Sequence, residues 1–416
     1  MARALLALLV ACTTHRTWDT CEDDPPAEVA RAVTWHGDVR ALVAQRCAAC
    51  HSADGSAPFP LDDLASLRDH AAESLEAVEA GTMPPWLSAD CCGPYRFSWD
   101  ITPDERATLA AWVAQGMPEG EPQAAPPAPA PVGGLERVDL EITMPEPYLP
   151  PVEDGETDHI RCFLLDWPPE EDVFVTGFTL RPGNLAITHH AVVLIAGPDR
   201  VDRFVAADQA DPGPGWDCPG GLARGYTGWL GGWSPGFSGV TFPDDLGQPV
   251  EAGSRLILSV HYARRNGETT PDQSTVALSL AQSVRGTLDI AGLYDPDWLF
   301  GAFRIPAGAT DFVLSHRRDL PIAPGTRLMS VNVHMHEHGR WGQVGIEHAD
   351  GTTECLLRID AWDPGWQNVY WFTEPRVWQR GDRVFVECHY DNPGTTPLRW
   401  DEDEEMCLGN VIWAVE

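Results

Sequence analysis

The chain has 416 residues, 43% of them hydrophobic, which is more than one ordinary core spans and predicts two or three domains. Sixty-two acidic side chains face 28 basic ones, all arginine, for a formal charge of -34; so acidic a surface repels a polyanion, which excludes nucleic acid as a partner and disfavours attraction to an anionic membrane. No run approaches the roughly 20 apolar residues that a membrane-spanning helix needs.

At the amino terminus, Arg3 precedes an apolar stretch from Ala4 to Ala11 and then Cys12, the layout of a short secretory signal. Leu9-Val10-Ala11-Cys12 resembles the bacterial lipobox, whose cysteine takes a lipid after cleavage. Residues 1–20 therefore read as a signal or lipoprotein segment with its spacer, and the chain as exported to the periplasm or cell surface. Attachment to a membrane through a lipid on Cys12 is one outcome and a non-lipidated signal the other. Eleven cysteines agree with export. Setting aside Cys12 and the pair Cys47 and Cys50 leaves eight, which can pair completely, in a connectivity that spacing does not reveal.

Residues 33–119 carry helical patterns. Val39 to Arg46 is one; another runs from Ala107 to Val113 and is led by Thr102 as N-cap, Pro103 at the first helical position and Glu105 at the third. A proline-rich stretch begins at Pro118 and supplies an extended, semi-rigid linker over residues 120–134. Beyond it the texture changes to short alternating runs such as Val173 to Phe178 and Arg383 to Cys388, the pattern of antiparallel sandwiches. Roughly 280 residues of this pattern suit two sandwiches better than one, and they divide near residue 285 into 135–285 and 286–416.

Cys47-Ala48-Ala49-Cys50-His51 has the C-x-x-C-H spacing of c-type haem attachment, in which two thiols add to the haem vinyl groups and the adjacent histidine ligates iron. A redox pair or half of a zinc site is the alternative, but no second C-x-x-C follows and no thioredoxin-like βαβ pattern surrounds it. The second axial ligand is expected at Met83, in Met83-Pro84-Pro85-Trp86; Met117, at the edge of the linker, reads as a core or boundary methionine. Residues 33–119 resemble a single-haem cytochrome c domain over their whole length. The adjacent Cys91 and Cys92 are not required by that pattern and read only as disulfide partners.

Residues 329–338 place Met329, Val331, Val333 and Met335 on one face of a strand. Ser330, Asn332, His334, His336 and His338 fall on the other. His334 and His336 have the His-x-His spacing that lets one strand bind one metal ion. Farther along, Met406 precedes the strand-like Val411 to Val415. In the first half of the β region, His189 and His190 enter an apolar strand, where neighbours point opposite ways unless the backbone bends, and His261 offers a third donor. Singly, each histidine is more often structural. Together they are hard to explain by packing alone.

In that order the motifs resemble the copper type II, ascorbate-dependent monooxygenases, a family that includes dopamine β-hydroxylase and peptidylglycine α-hydroxylating monooxygenase, here in a bacterial branch fused to cytochrome c. The match runs through His189-His190, Val260-His261-Tyr262, Val333-His334-Met335-His336, Asp391-Asn392 and Glu405-Met406-Cys407. The resemblance implies a multidomain protein, a small α-helical cytochrome c domain followed by two antiparallel, jelly-roll-like β-sandwiches. It implies one copper on His189, His190 and His261 that stores and passes electrons. A second copper, on His334, His336 and Met406, would bind dioxygen and the substrate. The cofactors would be two coppers and one haem c per chain, with ascorbate or a redox protein as donor, O2 as oxidant and a small-molecule substrate. The resemblance also implies a Cys388–Cys407 disulfide. In the peptide-hydroxylating branch an arginine, an asparagine and a tyrosine hold the substrate carboxylate; Asn332, Leu408 and Asn410 stand at those positions here, so a peptide ending in glycine is not the expected substrate.

Two other readings compete. One is a copper-binding electron-transfer or sensing protein without hydroxylase activity. The other is a zinc hydrolase on His334, His336 and His338, against which a required thioether at Met406 would argue, since zinc prefers nitrogen, oxygen or thiolate donors.

Overall fold

The structure is a computed structural model. It describes residues 29–52, 55, 57–89, 92–124, 134–151, 158–218, 225–237, 239–263, 268–401 and 404–416. The amino-terminal segment with Cys12, most of the linker, and Cys91 lie outside the described residues.

In the amino-terminal region, a π-turn at Trp35–Val39 leads into α1 (Arg40–Arg46), followed by α2 (Leu64–Asp69), α3 (Ala71–Glu79) and α4 (Pro103–Ala114). At the start of α4 the Thr102 side chain accepts from the Glu105 N–H while the Glu105 carboxylate accepts from the Thr102 N–H, with Pro103 at the first position. This reciprocal cap satisfies two amides that the helix itself leaves open. Val33, Trp35, Leu67, Leu109 and the fully buried Trp112 form this unit's small core.

The first sandwich comprises β1 (Leu140–Thr143), β2 (Asp158–Asp166), β3 (Val173–Arg181), β4 (Thr188–Ala196), α5 (Val201–Ala210), β5 (Trp216–Asp217), β6 (Gly228–Trp233), β7 (Val240–Thr241), β8 (Leu246–Val250), β9 (Arg255–Ala263) and β10 (Thr275–Ala281). One sheet is ordered β5-β2-β9-β4-β6. The other runs β1-β10-β3-β8, with β7 on β3. Phe163, Val193 and Leu258 from the first sheet meet Val175, Phe178 and Leu278 from the second in one core, as the period-two pattern requires.

The second sandwich comprises β11 (Gly286–Leu293), β12 (Arg304–Ile305), β13 (Ala309–Arg318), β14 (Arg327–His334), β15 (Gly339–Glu347), β16 (Thr353–Ile359), β17 (Tyr370–Val377), β18 (Arg383–Asn392), β19 (Leu398–Arg399) and β20 (Leu408–Val415). Its sheets are ordered β11-β20-β14-β17 and β13-β18-β15-β16. β8 and β11 pair in parallel, Gly286 with Leu246 and Thr287 with Gly247, so one sheet of each sandwich belongs to a continuous nine-stranded sheet.

The helical region departs from the expectation of one self-contained unit over 33–119. Residues 84–89 and 92–99 leave it and act as a strap across the second sandwich. Ala89 N–H donates to Arg358 O on β16, Arg96 N–H donates to Trp371 O on β17, and Tyr95 forms an isolated bridge with Phe372. β16 and β17 are the edge strands of their sheets, and the strap covers both edges. Trp86, Cys92, Tyr95 and Trp99 are buried in the second sandwich's core, and Cys92 is disulfide-bonded to Cys355. Three aromatic side chains of the strap are thereby buried outside the helical core.

Two further disulfides, Cys162–Cys218 and Cys388–Cys407, occur among the described residues. Three such bonds fit an oxidising compartment. No helix of the described residues is long and apolar enough to cross a membrane.

Near the first of these, Arg161 on β2 is 5% exposed and holds the loop after α5. It donates to Asp211 at 2.6 Å, Asp217 at 2.7 Å, and the Pro214 and Gly215 carbonyls, each at 2.9 Å. The hydrogen bond from Arg161, with a lesser one from the Gly213 amide, holds the Asp211 carboxyl down at about 2, below its ordinary 3.8. A depressed carboxylate stabilises the fold above its unfolded value and ceases to do so as pH falls through the folded one. Asp211→Asn is therefore expected to lower the urea midpoint at neutral pH, and the difference from the wild type should close between about pH 4 and pH 2. A difference unchanged across that interval would remove the ion pair as its source.

Candidate metal centres

His189 and His190 lie on β4 and His261 on the neighbouring β9. The β4–β9 register shifts between Thr188 and His190, which pair with Tyr262 and His261 respectively. This irregularity falls at His189 and supplies the bend that adjacent histidines need in order to face one point. Ligand atoms of all three lie within 4.8 Å of one another. The His190–His261 ring centroids are 4.6 Å apart and the His189–His261 centroids 5.1 Å.

His190 is held well below its ordinary pKa, first by burial and then by its neighbouring imidazoles, and its buried Nδ1 has no hydrogen-bond partner. A neutral imidazole with an unsatisfied buried nitrogen is costly unless something coordinates it.

His334 ends β14, and His336 follows in the turn rather than continuing the strand as the alternation over 329–338 predicted. The two Nε2 atoms are 3.1 Å apart. His334 Nδ1–H donates to Gln367 Oε1 at 2.6 Å, which turns its Nε2 toward His336. Burial holds His334 below its ordinary pKa, and burial followed by His334 pushes His336 down to about 4. Both shifts favour the neutral imidazole, the form that binds metal.

Met406 directly precedes Cys407, which is tied to Cys388, and its carbonyl accepts from Tyr390 Oη at 2.6 Å. The buried Glu405 carboxyl accepts from three amides, those of His336 at 2.5 Å, Met406 at 2.9 Å and His338 at 3.0 Å. It thereby ties the turn carrying His336 to the segment carrying Met406. Asn332 and Asn410 stand opposite each other across β14 and β20.

All six donors, His189, His190, His261, His334, His336 and Met406, line one cavity of about 1010 Å³. Asn332, Leu408 and Asn410 also line it. The lining includes Asp217, Glu337, Asp363 and Glu404 and, among the described residues, no arginine. His338 does not line it, and His334, His336 and His338 form no three-ligand group among the described residues. The zinc reading thus lacks its third ligand.

No motif marks the loop from Asp363 to Asn368 as part of the site. Trp366 sits 5.8 Å from His189 between ring centroids, while Gln367 holds His334, so one loop touches both clusters. Gly365 passes so close that an added Cβ would lie 3.0 Å from His189 Cε1. Trp362 Nε1–H donates to His336 O. The Asp-Pro-Gly run marks a turn; only the fold shows what it reaches.

In the helical unit, Cys47, Cys50 and His51 follow α1, and neither cysteine is in a disulfide. Burial pushes the Cys47 thiol up to about 12. His51 Nδ1–H donates to Phe59 O at 2.9 Å, which leaves Nε2 for a ligand, and Phe59 in turn stacks on His70 at 3.9 Å. Met83 follows α3, its amide donating to Ala77 O; no described contact joins it to His51. Met117 packs against the helical core.

Residues 311–414 match the family model of the copper type II ascorbate-dependent monooxygenase, C-terminal domain. That region belongs to the domain family. The copper monooxygenase match covers β13 to β20 almost completely, and with them His334, His336 and Met406. Among solved structures, the STIV MCP overlaps 67% of this chain and 92% of its own at 10% identity and a TM-score of 0.25. A two-domain protein of unknown function from Bacteroides fragilis NCTC 9343 overlaps 62% of this chain and 85% of its own at 11% identity and a TM-score of 0.18. Both overlaps are too loose to bear on fold or function.

Proposed function

We propose that the chain is an exported, haem- and copper-dependent monooxygenase that inserts one oxygen atom of O2 into a C–H bond of a small organic substrate. Ascorbate or a redox protein would supply two electrons, passed through haem c and a copper on His189, His190 and His261 to a copper on His334, His336 and Met406; with two protons, the second oxygen atom leaves as water. The observation that carries this reading is the convergence of those six donors on one cavity. An electron-transfer or sensing protein needs no space of substrate size between its metals.

The donor sets fit the groups assigned to them. Neutral imidazoles hold copper in both oxidation states, and a thioether favours the cuprous one. When bound, copper supplies the one-electron chemistry that activates dioxygen and breaks the C–H bond. Around it the protein's own groups hold position. Gln367 fixes the His334 ring, Glu405 fixes the His336 and Met406 backbones, and Trp366 covers His189. Asn332 and Asn410 supply neutral hydrogen-bonding groups to a substrate, and with four acidic residues and no arginine in the described lining, a carboxylate substrate finds no counter-charge.

For haem, the support is the C-x-x-C-H spacing, the His51 ring oriented by Phe59, and cysteines outside any disulfide. Met83 is the proposed second axial ligand. Export, with lipid attachment through Cys12, rests on the amino-terminal sequence.

Metal analysis of the purified chain tests the reading: about two copper and about one iron per chain are expected, with a c-type haem spectrum that substitution of Cys47 or Cys50 alters. Zinc in place of copper would overturn it.

A further inference from the structure

The strap does more than cover edge strands. At its start, Pro85 is buried and its carbonyl accepts from Asn368 Nδ2 at 3.4 Å. The residue before Asn368 is Gln367, whose Oε1 accepts from His334 Nδ1–H at 2.6 Å while its Nε2 is held by Pro364 O. A connection of covalent bonds and two hydrogen bonds thus runs from two residues beyond Met83 to a ring of the second metal cluster.

Through the same loop the three-histidine cluster is reached only by a non-bonded contact, Trp366 against His189 at 5.8 Å between ring centroids, and the fully bonded connection to it is longer. It leaves Asn368 Oδ1 through Ser234 Oγ at 2.9 Å, continues to Trp233, and crosses the β6–β4 ladder to Ala191, one residue past His190. Electronic coupling decays less across covalent and hydrogen bonds than across empty space. Of the two routes, the shorter bonded one ends at His334. The strap keeps it in register: Trp86, next to Pro85, lies 4.8 Å from Tyr370, two residues after Asn368, and Cys92–Cys355 anchors the far end.

Resting on the haem and copper reading above, we propose that the helical unit has its own electron inlet to the His334/His336 centre, through Pro85, Asn368 and Gln367, which bypasses the three-histidine centre. The path carries one electron per event, oxidising haem iron from ferrous to ferric and reducing the copper at His334 and His336 from cupric to cuprous. No bond is made or broken, and ascorbate or a redox protein restores the ferrous state. Asn368 and Gln367 are positioning residues in this scheme, touching neither substrate nor the reacting atoms.

The test uses the full chain carrying His261→Ala, so that only the second copper remains. Its haem is reduced by a laser flash under anaerobic conditions, and re-oxidation is followed by the haem absorbance, with no substrate present. First-order re-oxidation, independent of protein concentration, is expected. Adding Asn368→Asp, which keeps an acceptor for Ser234 and removes the donor to Pro85, should slow it by an order of magnitude or more with the static haem spectrum and copper content unchanged. Failure of the His261→Ala chain to re-oxidise its haem, or a rate that Asn368→Asp leaves unaltered, overturns the inlet alone. A purified chain lacking haem or copper overturns the functional reading with it, and metal analysis shows which has occurred.

Discussion

Met406→Ala is expected to reduce substrate-dependent oxygen uptake to background, while the haem spectrum and the copper at His189, His190 and His261 stay intact. The variant removes the one soft donor of the second cluster, leaving two imidazoles without the thioether that favours cuprous copper. Met406 is only partly buried, so its truncation should cost the fold about 1–2 kcal/mol, too little to unfold it. Met335 provides the contrast. It is fully buried against Gly339 and Gly342, and Met335→Ala should cost roughly 2–5 kcal/mol of stability. Oxygen electrode traces and thermal melts of the two variants separate a ligand from a packing methionine. Full oxygen uptake by Met406→Ala would remove the proposed oxygen site.

The second large effect concerns the strap. Cys92–Cys355 closes a loop of 263 residues, and in the chain-entropy account a bond across so long a separation contributes on the order of 5 kcal/mol. Trp86, packed edge-on against Tyr370 and Trp99, contributes a further 3–5 kcal/mol or so. The double variant Cys92→Ser with Cys355→Ser, combined with Trp86→Ala, is expected to release the helical unit. Scanning calorimetry should then show the helical unit melting apart from the sandwiches, and limited proteolysis should cut within residues 84–99. A variant that melts as the wild type does, with the strap still protected, would show that the remaining backbone pairings to β16 and β17 suffice.

Local patterns were readable where neighbours in sequence decide the outcome. The cap at Thr102 and Glu105 is an interaction across three residues, and the alternation of β3 is set by one sheet face. The histidines were readable as residue types, but not in their geometry. That His189 and His190 share a site depends on a register shift against β9, which no window around them contains. The alternation over 329–338 held only to His334, because the Glu405 carboxylate captures the following amides and turns the chain. Ser330, on the face opposite Met329 and Val331, is fully buried as they are, so both faces of the strand are covered there. The strap was not readable at all. Tyr95 Oη donates to Leu356 O across 261 residues, and contacts of that range leave no period in a sequence. Cys92 stood out as an unneeded cysteine, and its partner lies in another domain.

The parallel pairing of β8 with β11 bears on how the enzyme can breathe. Each half of the molecule contributes one cluster of candidate donors, and sandwiches joined only by a flexible connection could swing apart and together to vary the gap. Here ladder hydrogen bonds run from one half into the other, and a hinge motion would have to break them. The gap is therefore set by the sheet. The Asp363–Asn368 loop lies outside the strands and touches both clusters, so it is a part of the cavity wall that the ladder does not fix.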